Sequence, residues 1–335
     1  RAADTAVDAL DDLEQLPDLR LTAGRGRNIG VHSPTIDDLD HSNRWTHGCD
    51  HEVPTTTLLG KTTESRNRVS VTFDYTGKAV LVTGAGSGMG RDSATAFAGA
   101  GARVAVLDID AAAGRATVEQ IEASGGEAIF VEVDVADDAA VHRAVDTVVD
   151  RFGRLDVAHN NAGAEGQHGF MLEQDPASWR RTLDVNLSSV FYCMQAEIPH
   201  MLASGGGSII NTASAAGLIG AYGLTPYVAA KHGVIGLTKA AANEYSERGI
   251  RINALCPGPI ETPFISSFPS SWTDRLLSAV PIRRLGRTDE ISQAVLWLGS
   301  EASSYVVGHS LSVDGGVTIG GAETRNDDLE DRVLT

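Results

Sequence analysis

The sequence is short of cysteine, of basic residues and of long apolar runs, and each shortage excludes a class of protein. Its three cysteines, Cys49, Cys193 and Cys256, lie far apart, so no disulfide framework is predicted and a reducing compartment is favoured. Lysine and arginine total 27 against 44 acidic residues, and the net charge of −17 argues against nucleic acid or an anionic membrane as a partner. No run could span a bilayer, and the first residues lack a signal-peptide pattern. These absences predict a soluble cytoplasmic protein.

Residues 1–70 lack a sustained hydrophobic period of either kind. Acidic residues are frequent at the start, and only residues 6–16 have the pattern of a short helix. His47, Cys49 and His51 alternate in "HGCDHE", but three potential ligands with no fourth nearby do not make a metal site. The chain begins with Arg1 rather than Met, which favours a fragment or a processed product. We therefore expect a disordered or loop-rich extension over 1–70, and no metal.

From about residue 76 the pattern changes to short buried strands that alternate with helices. The strands are predicted in "KAVLVTG", "RVAVLDID", "EAIFVEVDV", "LDVAHNNAG", "GSIINTAS", "IRINALCPG" and "SLSVDGG". Two long helices are predicted over about 176–203 and 225–247. Such alternation is typical of parallel strands joined by crossover helices. The sequence therefore predicts the α/β class: a Rossmann-type doubly wound parallel sheet in three α/β/α layers, as a single domain over residues 71–322, with a charged tail at 323–335.

The segment "TGAGSGMG" follows the first predicted strand and opens the first predicted helix. Gly84 allows a sharp exit from the strand, Gly88 lets a pyrophosphate approach the helix N-terminus, and Gly90 permits close packing of helix on sheet. Asp108 ends the next strand about 20 residues later, where a carboxylate can accept hydrogen bonds from an adenosine ribose. Because that carboxylate would repel a 2′-phosphate, and Ser87 supplies no compensating cation, NAD is favoured over NADP.

Several motifs then occur in a fixed order. They are "TGAGSGMG", "DV" at Asp134, "NNAG" from Asn160, "VNL" around Asn186, "SIINTASAAG" around Ser214, "YVAAK" from Tyr227 and "PGPIET" from Pro257. Over about residues 77–319 the set resembles the short-chain dehydrogenase/reductase family in its compact, classical form. The resemblance implies a nicotinamide-dependent oxidoreductase. Two departures, at Ser189 and Ala213, lie outside the residues to which that family's chemistry is assigned.

The resemblance implies a catalytic tetrad of Asn186, Ser214, Tyr227 and Lys231. Tyr227 and Lys231 are one helical turn apart, so a helix places them on the same face. The lysine is expected to lower a phenol pKa that is normally about 10, and a shift to near 7 needs roughly 4 kcal/mol. Tyr227 would exchange a proton with the substrate oxygen and Ser214 would hydrogen-bond that oxygen. Lys231 would also hold the nicotinamide ribose, and Asn186 would position a water.

The same resemblance implies further cofactor contacts. Asp134 and Val135 would contact adenine, Asn161 would lie beside the adenosine, and Ile260 and Thr262 would meet the nicotinamide carboxamide and phosphate. The complete predicted cofactor site is Gly84, Ser87, Gly88, Met89, Gly90, Asp108, Asp134, Val135, Asn161, Tyr227, Lys231, Ile260 and Thr262.

The substrate pocket is predicted over residues 164–168 and 215–216, around Tyr222, and in "FISSFPSSWTDRLL". Tyr222 lies in the loop before the tetrad helix and is interpreted as a pocket wall. Three aromatic residues of the last segment would form an apolar lid, or would simply pack on a surface helix: Phe264, Phe268 and Trp272. No arginine or lysine is expected to point into the pocket. These features favour a neutral, largely apolar secondary alcohol and its ketone as the substrate pair.

Other functions are compatible with the same fold. One alternative is a non-catalytic nucleotide-binding regulator or scaffold, which the intact tetrad argues against. Another is a reductase of 3-oxoacyl substrates. A sugar-nucleotide epimerase or dehydratase of the extended relatives shares the tyrosine and lysine, but the glycine spacing and the short C-terminal part argue against it.

Small residues on the two long helices favour packing against a second subunit. They include Ala229, Ala230, Ala240, Ala241 and Ala242. The family resemblance implies assembly through this helix pair, so a homotetramer is expected and a dimer is the next possibility.

Overall fold

The computed structural model describes residues 72–266 and 277–320. The chain divides into two units, Arg1–Asn67 and Arg68–Thr335, and every described residue belongs to the second. The predicted extension at 1–70, with the metal candidates His47, Cys49 and His51, lies outside the described residues, as does the tail at 323–335. The predicted lid falls largely outside them as well. Phe268 and Trp272 are not described, and only the backbone is described at Phe264.

Within the described ranges, seven strands alternate with helices, as the sequence predicts. The strands are β1 (Ala79–Thr83), β2 (Arg103–Asp108), β3 (Glu127–Glu132), β4 (Val157–Asn160), β5 (Gly207–Thr212), β6 (Ile250–Pro257) and β7 (Ser310–Val313). The helices are α1 (Gly88–Gly99), α2 (Ala111–Ala123), α3 (Asp138–Phe152), α4 (Pro176–Leu183), α5 (Ser189–Ala203), α6 (Thr225–Tyr245), α7 (Pro263–Ser266) and α8 (Thr288–Gly299). Short 3-10 turns, among them Ala215–Gly217, fall in the connections.

All neighbouring strands pair in parallel, in the order β3-β2-β1-β4-β5-β6-β7. The strand order therefore reverses between β1 and β4, and the connections that leave these two strands diverge and open a crevice. Helices α1, α2 and α8 contact one face of the sheet, while α3, α5 and α6 contact the other. The predicted three-layer, Rossmann-type doubly wound sheet is confirmed.

Strand β1 shows why these residues form this sheet. All five of its residues are buried, because helices cover both faces of a parallel sheet. Leu81 packs in the core beneath α3, α5 and α6, whereas Val80 and Val82 pack in the core beneath α1 and α8. Two hydrophobic cores thus hold the strand from opposite sides and fix the position of the loop that follows it.

The long helix predicted from Pro176 is interrupted. Helix α4 ends at Leu183, a π-helical turn covers Asp184–Ser188, and α5 begins only at Ser189. Within this turn the Asn186 side chain is buried, and its Nδ2 donates to the Thr182 carbonyl at 3.0 Å. A side chain thus bonds to the carbonyl that a regular helix would offer to the backbone N–H four residues later. The chain is therefore helical throughout 176–203, as predicted, and the π-helical turn inside it is the feature that the sequence did not predict.

The alanines expected at a subunit contact are divided by the fold. Ala230, Ala241 and Ala242 of α6 are buried within the subunit, so they cannot meet a second copy. Of the five alanines named above, Ala229 and Ala240 are exposed and remain available for such a contact.

A buried polar network joins β4 and β5 to the helices above them. Asn160 Nδ2 donates to Glu197 Oε2 at 3.1 Å and to Asn211 Oδ1 at 3.0 Å, and Asn211 Nδ2 donates to Thr238 Oγ1 at 3.0 Å. All four side chains are fully or almost fully buried. Burial raises the pKa of Glu197 to about 8, although the Asn160 hydrogen bond opposes this rise. At neutral pH the fold therefore contains a protonated carboxyl group in its core.

The titration of Glu197 makes stability depend on pH. An unfolded chain loses this proton near pH 4.3, roughly, whereas the folded protein keeps it until pH reaches about 8. Between these values folding takes up a proton, so the free energy of unfolding falls as pH rises. The Glu197→Gln variant cannot titrate, and its stability relative to the parent protein should rise from about pH 5 to about pH 8, by up to about 1.4 kcal/mol per pH unit. Denaturant unfolding at both pH values measures this difference.

The matched control for this measurement is Glu122→Gln. Glu122 is exposed on α2, so the control also removes one carboxylate but leaves the core untouched. A stability difference between Glu197→Gln and the parent that is the same at both pH values would contradict the assignment of a neutral, buried Glu197.

Candidate active site

A cavity of about 1700 Å³ opens at the carboxyl ends of the strands. Pockets for one drug-sized ligand have roughly 300–1,000 Å³, so this one has room for a dinucleotide and a second molecule. All predicted site residues except one line it: Gly84, Ser87, Gly88, Met89, Asp108, Asp134, Val135, Asn161, Asn186, Ser214, Tyr227, Lys231, Ile260 and Thr262. The exception is Gly90, where a Cβ would overlap the Gly84 carbonyl oxygen. Gly90 therefore serves the packing of α1 against the loop.

The glycine loop after β1 has a backbone that other residues would strain. Gly84 and Gly88 have φ values of +62° and +52°. A Cβ at Gly84 would lie 2.9 Å from the Ala162 Cα, and one at Gly88 would lie 3.3 Å from Thr262 Cγ2. The loop is therefore packed between the segment after β4 and the segment after β6, and its glycines let these chain segments approach it closely.

Helix α1 begins at this loop and directs its N-terminus to the cavity wall. Ser87 is its N-cap, and the Ser87 side chain makes no capping hydrogen bond. The first N–H groups of a helix have no partner within the helix and carry a partial positive charge. Because Ser87, Gly88 and Met89 all line the cavity, this end of α1 can bind an anionic group such as a pyrophosphate.

Asp108 ends β2 at the same wall. Its Oδ2 accepts from the Gly86 N–H at 2.7 Å and its Oδ1 accepts from the Asp110 N–H at 2.9 Å. The carboxylate therefore holds the glycine loop, and its remaining lone pairs can accept hydrogen bonds from ribose hydroxyls. Arg91, on α1 as expected, donates to the Gly86 carbonyl, and its Nε donates to Thr117 Oγ1 at 3.2 Å.

Asn161 contributes a polar atom that suits a bound nucleotide. Its Nδ2 donates to the Thr83 carbonyl at 3.1 Å, while its Oδ1 is buried and has no hydrogen-bond partner among the described residues. A buried acceptor without a partner is costly unless a ligand or water satisfies it. Together with the glycine loop, the N-terminus of α1 and Asp108, this atom makes the residues present fit a dinucleotide.

The four predicted tetrad residues meet in one part of the cavity. Lys231 is 2% exposed, and its Nζ donates to the Thr212 carbonyl at 2.8 Å. The same Nζ lies 5.5 Å from the centroid of the Tyr227 ring. Ser214 hydrogen-bonds to Tyr227 through its side chain, and its Oγ accepts from the Ala216 N–H at 3.1 Å. The helix thus places Tyr227 beside Lys231, and the end of β5 places Ser214 beside Tyr227.

Asn186 joins this group from the π-helical turn. Its Oδ1 accepts from the Ala164 N–H at 3.2 Å and its Nδ2 donates to the Ala164 carbonyl at 2.9 Å. A Cβ at Gly163 would lie 2.9 Å from Asn186 Oδ1 and 3.6 Å from Lys231 Nζ. The amide of Asn186 therefore fixes the loop after β4, and the glycine leaves space between Asn186 and Lys231.

The protonation of Tyr227 differs from the sequence-based expectation. Burial raises the pKa of Tyr227 to about 12; the Ser214 hydrogen bond lowers it, and the charge of Glu165 raises it. Burial also lowers the pKa of Lys231 to about 8. The Tyr227 pKa of the protein alone is therefore raised, opposite to the expected direction, because the cost of desolvating a phenolate dominates. Tyr227 holds its proton at neutral pH and can donate it.

The substrate side of the cavity contains the predicted residues and some that sequence reasoning missed. Ala164, Glu165 and His168 line it, as do Ala215, Ala216 and Tyr222. Arg180 and Arg181 of α4 are exposed and also belong to the cavity lining, so two arginines lie at the cavity wall where none was expected. The signal available in the sequence was position, since α4 follows the loop after β4 and lies at the edge of the sheet where the cavity opens.

Tyr222 is well separated in role from Tyr227. It is 81% exposed, and its ring lies edge-to-face on Phe170, with 5.4 Å between the ring centroids. Gly169 N–H donates to the Gly223 carbonyl at 3.1 Å, which ties the loop after β4 to the segment that carries Tyr222. Tyr227 is thus half-buried among the tetrad residues, whereas Tyr222 lies at the exposed rim of the cavity.

Two negative findings concern the described part of the chain. It contains no group of three or more histidine, cysteine or acidic residues arranged to hold a metal ion. Its helices include none with the length and apolar character needed to cross a membrane.

Comparisons with known proteins agree with this geometry. Residues 84–318 match the family described as enoyl-(acyl carrier protein) reductase. A cyclohexanol dehydrogenase of Acinetobacter sp. (strain SE19) is 46% identical over 244 residues, which cover 73% of this chain and 96% of that protein. A 3-oxoacyl-acyl-carrier-protein reductase of Thermotoga maritima is 38% identical over 243 residues, covering 72% of this chain and 98% of that protein.

A solved structure agrees as well. The 7 alpha-hydroxysteroid dehydrogenase complexed with NADH and 7-oxo glycochenodeoxycholic acid superposes with a TM-score of 0.70 at 34% identity, over 72% of this chain and 95% of that one. With the ordered motifs, the doubly wound sheet and the tetrad in one cavity, these matches show that the chain belongs to the short-chain dehydrogenase/reductase family.

Proposed function

We propose that the protein interconverts a largely apolar secondary alcohol and its ketone by hydride transfer, with NAD as the cofactor and Tyr227 as the general acid/base. The observation that carries this proposal is the meeting of Asn186, Ser214, Tyr227 and Lys231 in the cavity that the glycine loop also lines. Hydrogen-bond donors, a buried cation and a nucleotide cradle occur there together. No part of this arrangement is required by the fold alone.

The residues divide the chemistry among them. The nicotinamide, when bound, accepts or supplies the hydride. In the direction of reduction, Tyr227 donates its proton to the carbonyl oxygen, and Ser214 hydrogen-bonds to the same oxygen. Lys231 stabilises the negative charge that forms on the phenol, since its ammonium lies over the Tyr227 ring. Asn186 holds the loop at Ala164, so the position of this pocket wall depends on the position of the tetrad.

The cavity supports an apolar and cyclic substrate. Its rim carries exposed apolar side chains, of which Phe170 and Tyr222 are in ring contact and Ile219 is 37% exposed. Apolar surface at a pocket mouth is typical of sites that take apolar ligands. A relative named as a cyclohexanol dehydrogenase, 46% identical, points to the same class of compound.

A second candidate is the reduction of 3-oxoacyl substrates. Arg180 and Arg181 are exposed and line the cavity, where they could meet the phosphate of an acyl carrier, and a 3-oxoacyl-acyl-carrier-protein reductase is 38% identical. Acetoacetyl-CoA reduction separates the two candidates. A kcat/KM for acetoacetyl-CoA above that for cyclohexanone would favour this second function.

We also propose a cytoplasmic location and a homotetramer, or else a dimer. Cys193 and Cys256 are buried free thiols, in keeping with a reducing compartment. Phe191 on α5 is 45% exposed, and with Ala229 and Ala240 on α6 it offers an apolar surface on the helices that the family resemblance implies for assembly. Sedimentation analysis tests the number of subunits.

The Tyr227→Phe variant tests the proposed acid/base. It keeps the ring beside Lys231 but removes the proton, so we expect kcat to fall at least about 100-fold while NADH binding changes less than about threefold. Steady-state kinetics with cyclohexanol and NADH titration by fluorescence measure the two effects. The matched control is Tyr305→Phe, since Tyr305 is fully exposed and does not line the cavity. Parent-like turnover in Tyr227→Phe would refute the assignment.

The carboxylate of Asp108 tests the choice of cofactor. Because a 2′-phosphate beside it would place two negative charges together, we expect NADH to bind at least about tenfold more tightly than NADPH. Asp108→Asn removes the charge but keeps an acceptor for the Gly86 N–H, so its affinities for NADH and NADPH should differ less than those of the parent. Titration of the parent protein and of Asp108→Asn with both cofactors measures these affinities. Tighter binding of NADPH by the parent protein would show that NAD is the wrong cofactor.

A further inference from the structure

Glu165 is an acidic residue close to the tetrad. It belongs to the segment after β4, which the side chain of Asn186 holds by hydrogen bonds. The Ala164 N–H and carbonyl both bond to the side chain of Asn186, at 3.2 and 2.9 Å. Two residues later, a Cβ at Gly166 would lie 2.6 Å from Thr182 Oγ1, so this glycine is pressed against α4. Glu165 stands between these two points. Its backbone position is therefore set by the tetrad and by α4.

The side chain of Glu165 faces the cavity. It lines the cavity wall together with His168, and its Oε2 lies 3.4 Å from His168 Nε2. The two side chains are 28% and 37% exposed, so each is partly withdrawn from water. His168 contacts one oxygen of the carboxylate. Because a carboxylate offers about four lone-pair sites, the group has the capacity for a hydrogen bond from a substrate as well.

The charge of Glu165 is felt at the reaction centre. Its negative charge raises the pKa of Tyr227. Glu165 directly follows Ala164, whose backbone bonds to Asn186 of the tetrad, and it lines the same cavity as Tyr227. A substrate whose carbinol oxygen lies at Tyr227 and Ser214 can therefore extend its carbon skeleton along the wall that Glu165 forms.

A substrate with a purely hydrocarbon skeleton would be unfavourable beside this carboxylate. Closing apolar C–H groups over a charged acceptor removes water from it without replacing the hydrogen bonds. A substrate hydroxyl removes this mismatch, since it donates a hydrogen bond to a charged acceptor, and such bonds are stronger than neutral ones. The carbinol hydroxyl is already used by Tyr227 and Ser214, so the donor must be a different group.

We propose that Glu165, held by His168, is a substrate-binding residue that accepts a hydrogen bond from a second hydroxyl group, so that the preferred substrates are secondary alcohols carrying another hydroxyl, with the corresponding hydroxyketones as products. This inference rests on the proposed function and names its substrate class more closely. The same carboxylate disfavours a substrate with an anionic group near the carbinol, because two like charges would meet in a partly dehydrated cavity.

The test uses the full chain with NAD⁺ and a panel of ring alcohols. The substrates are cyclohexanol, the 1,2-, 1,3- and 1,4-cyclohexanediols, and 4-hydroxycyclohexanecarboxylate. We expect the parent protein to favour at least one diol over cyclohexanol about tenfold in kcat/KM. In Glu165→Gln the ratio of kcat/KM for this diol to kcat/KM for cyclohexanol should fall about tenfold, mainly through a higher KM for the diol, whereas a change in kcat that comes from the lost negative charge near Tyr227 is shared by both substrates. The carboxylate-bearing substrate should be oxidised better by the variant than by the parent.

Two further variants exclude trivial explanations. Glu122→Gln, on exposed α2, removes one negative charge far from the cavity and should leave every substrate ratio unchanged. Glu165→Ala removes the acceptor altogether and should lower the diol preference at least as much as Glu165→Gln. Thermal unfolding and NADH titration confirm that each variant is folded and binds cofactor.

The outcomes separate the inference from the function on which it rests. If the parent oxidises the alcohols without a diol preference, or if Glu165→Gln changes all substrates by the same factor, this inference is overturned and the proposed function stands. If the parent oxidises none of them, the proposed function fails and the inference fails with it. The improved oxidation of the anionic substrate is a gain that general damage to the site would not produce.

Discussion

The pair of hydrogen bonds between the Asn186 side chain and the Ala164 backbone is the constraint on which the site depends. A third bond, to the Thr182 carbonyl, places the same amide in the helical stretch between α4 and α5. One side chain therefore sets the π-helical turn and fixes the loop after β4 against the tetrad. Together with the packing of Gly166 against Thr182, it positions the segment that carries Gly163 and Glu165 relative to Lys231.

Much of this arrangement could be predicted from the sequence. The strands, their parallel pairing and the glycine loop follow from the hydrophobic period, the β-branched runs, and Gly84 and Gly88 at positions that need positive φ. The tetrad came from ordered motifs rather than from physical patterning, because a tyrosine and a lysine four residues apart are ordinary on any helix. The local sequence pattern therefore predicted the fold, whereas the family resemblance predicted the catalytic residues.

The parts that could not be predicted depend on tertiary packing. Helical propensity continues through residues 184–188, so nothing local announces that Asn186 will bond to Thr182 and open a π-helical turn there. The entry of Arg180 and Arg181 into the cavity wall depends on the angle of α4, which the sequence does not encode locally. The direction of the Tyr227 pKa shift could not be predicted for a related reason. The spacing shows that a lysine is near, but only the structure shows how deeply both groups are buried.

The burial of Tyr227 and Lys231 favours the reaction direction in which Tyr227 acts as an acid. A phenol whose pKa is about 12 keeps its proton, and an ammonium whose pKa is lowered to about 8 is more easily discharged than an exposed one. Both shifts favour neutral forms, so the protein alone presents Tyr227 as an acid. Oxidation of an alcohol requires the opposite, a phenolate, and stabilising it demands positive charge in the same cavity. Since Glu165 adds negative charge near Tyr227, it makes the phenolate harder to form. A carboxylate that opposes part of the chemistry is therefore best explained by a contact that it makes with the substrate.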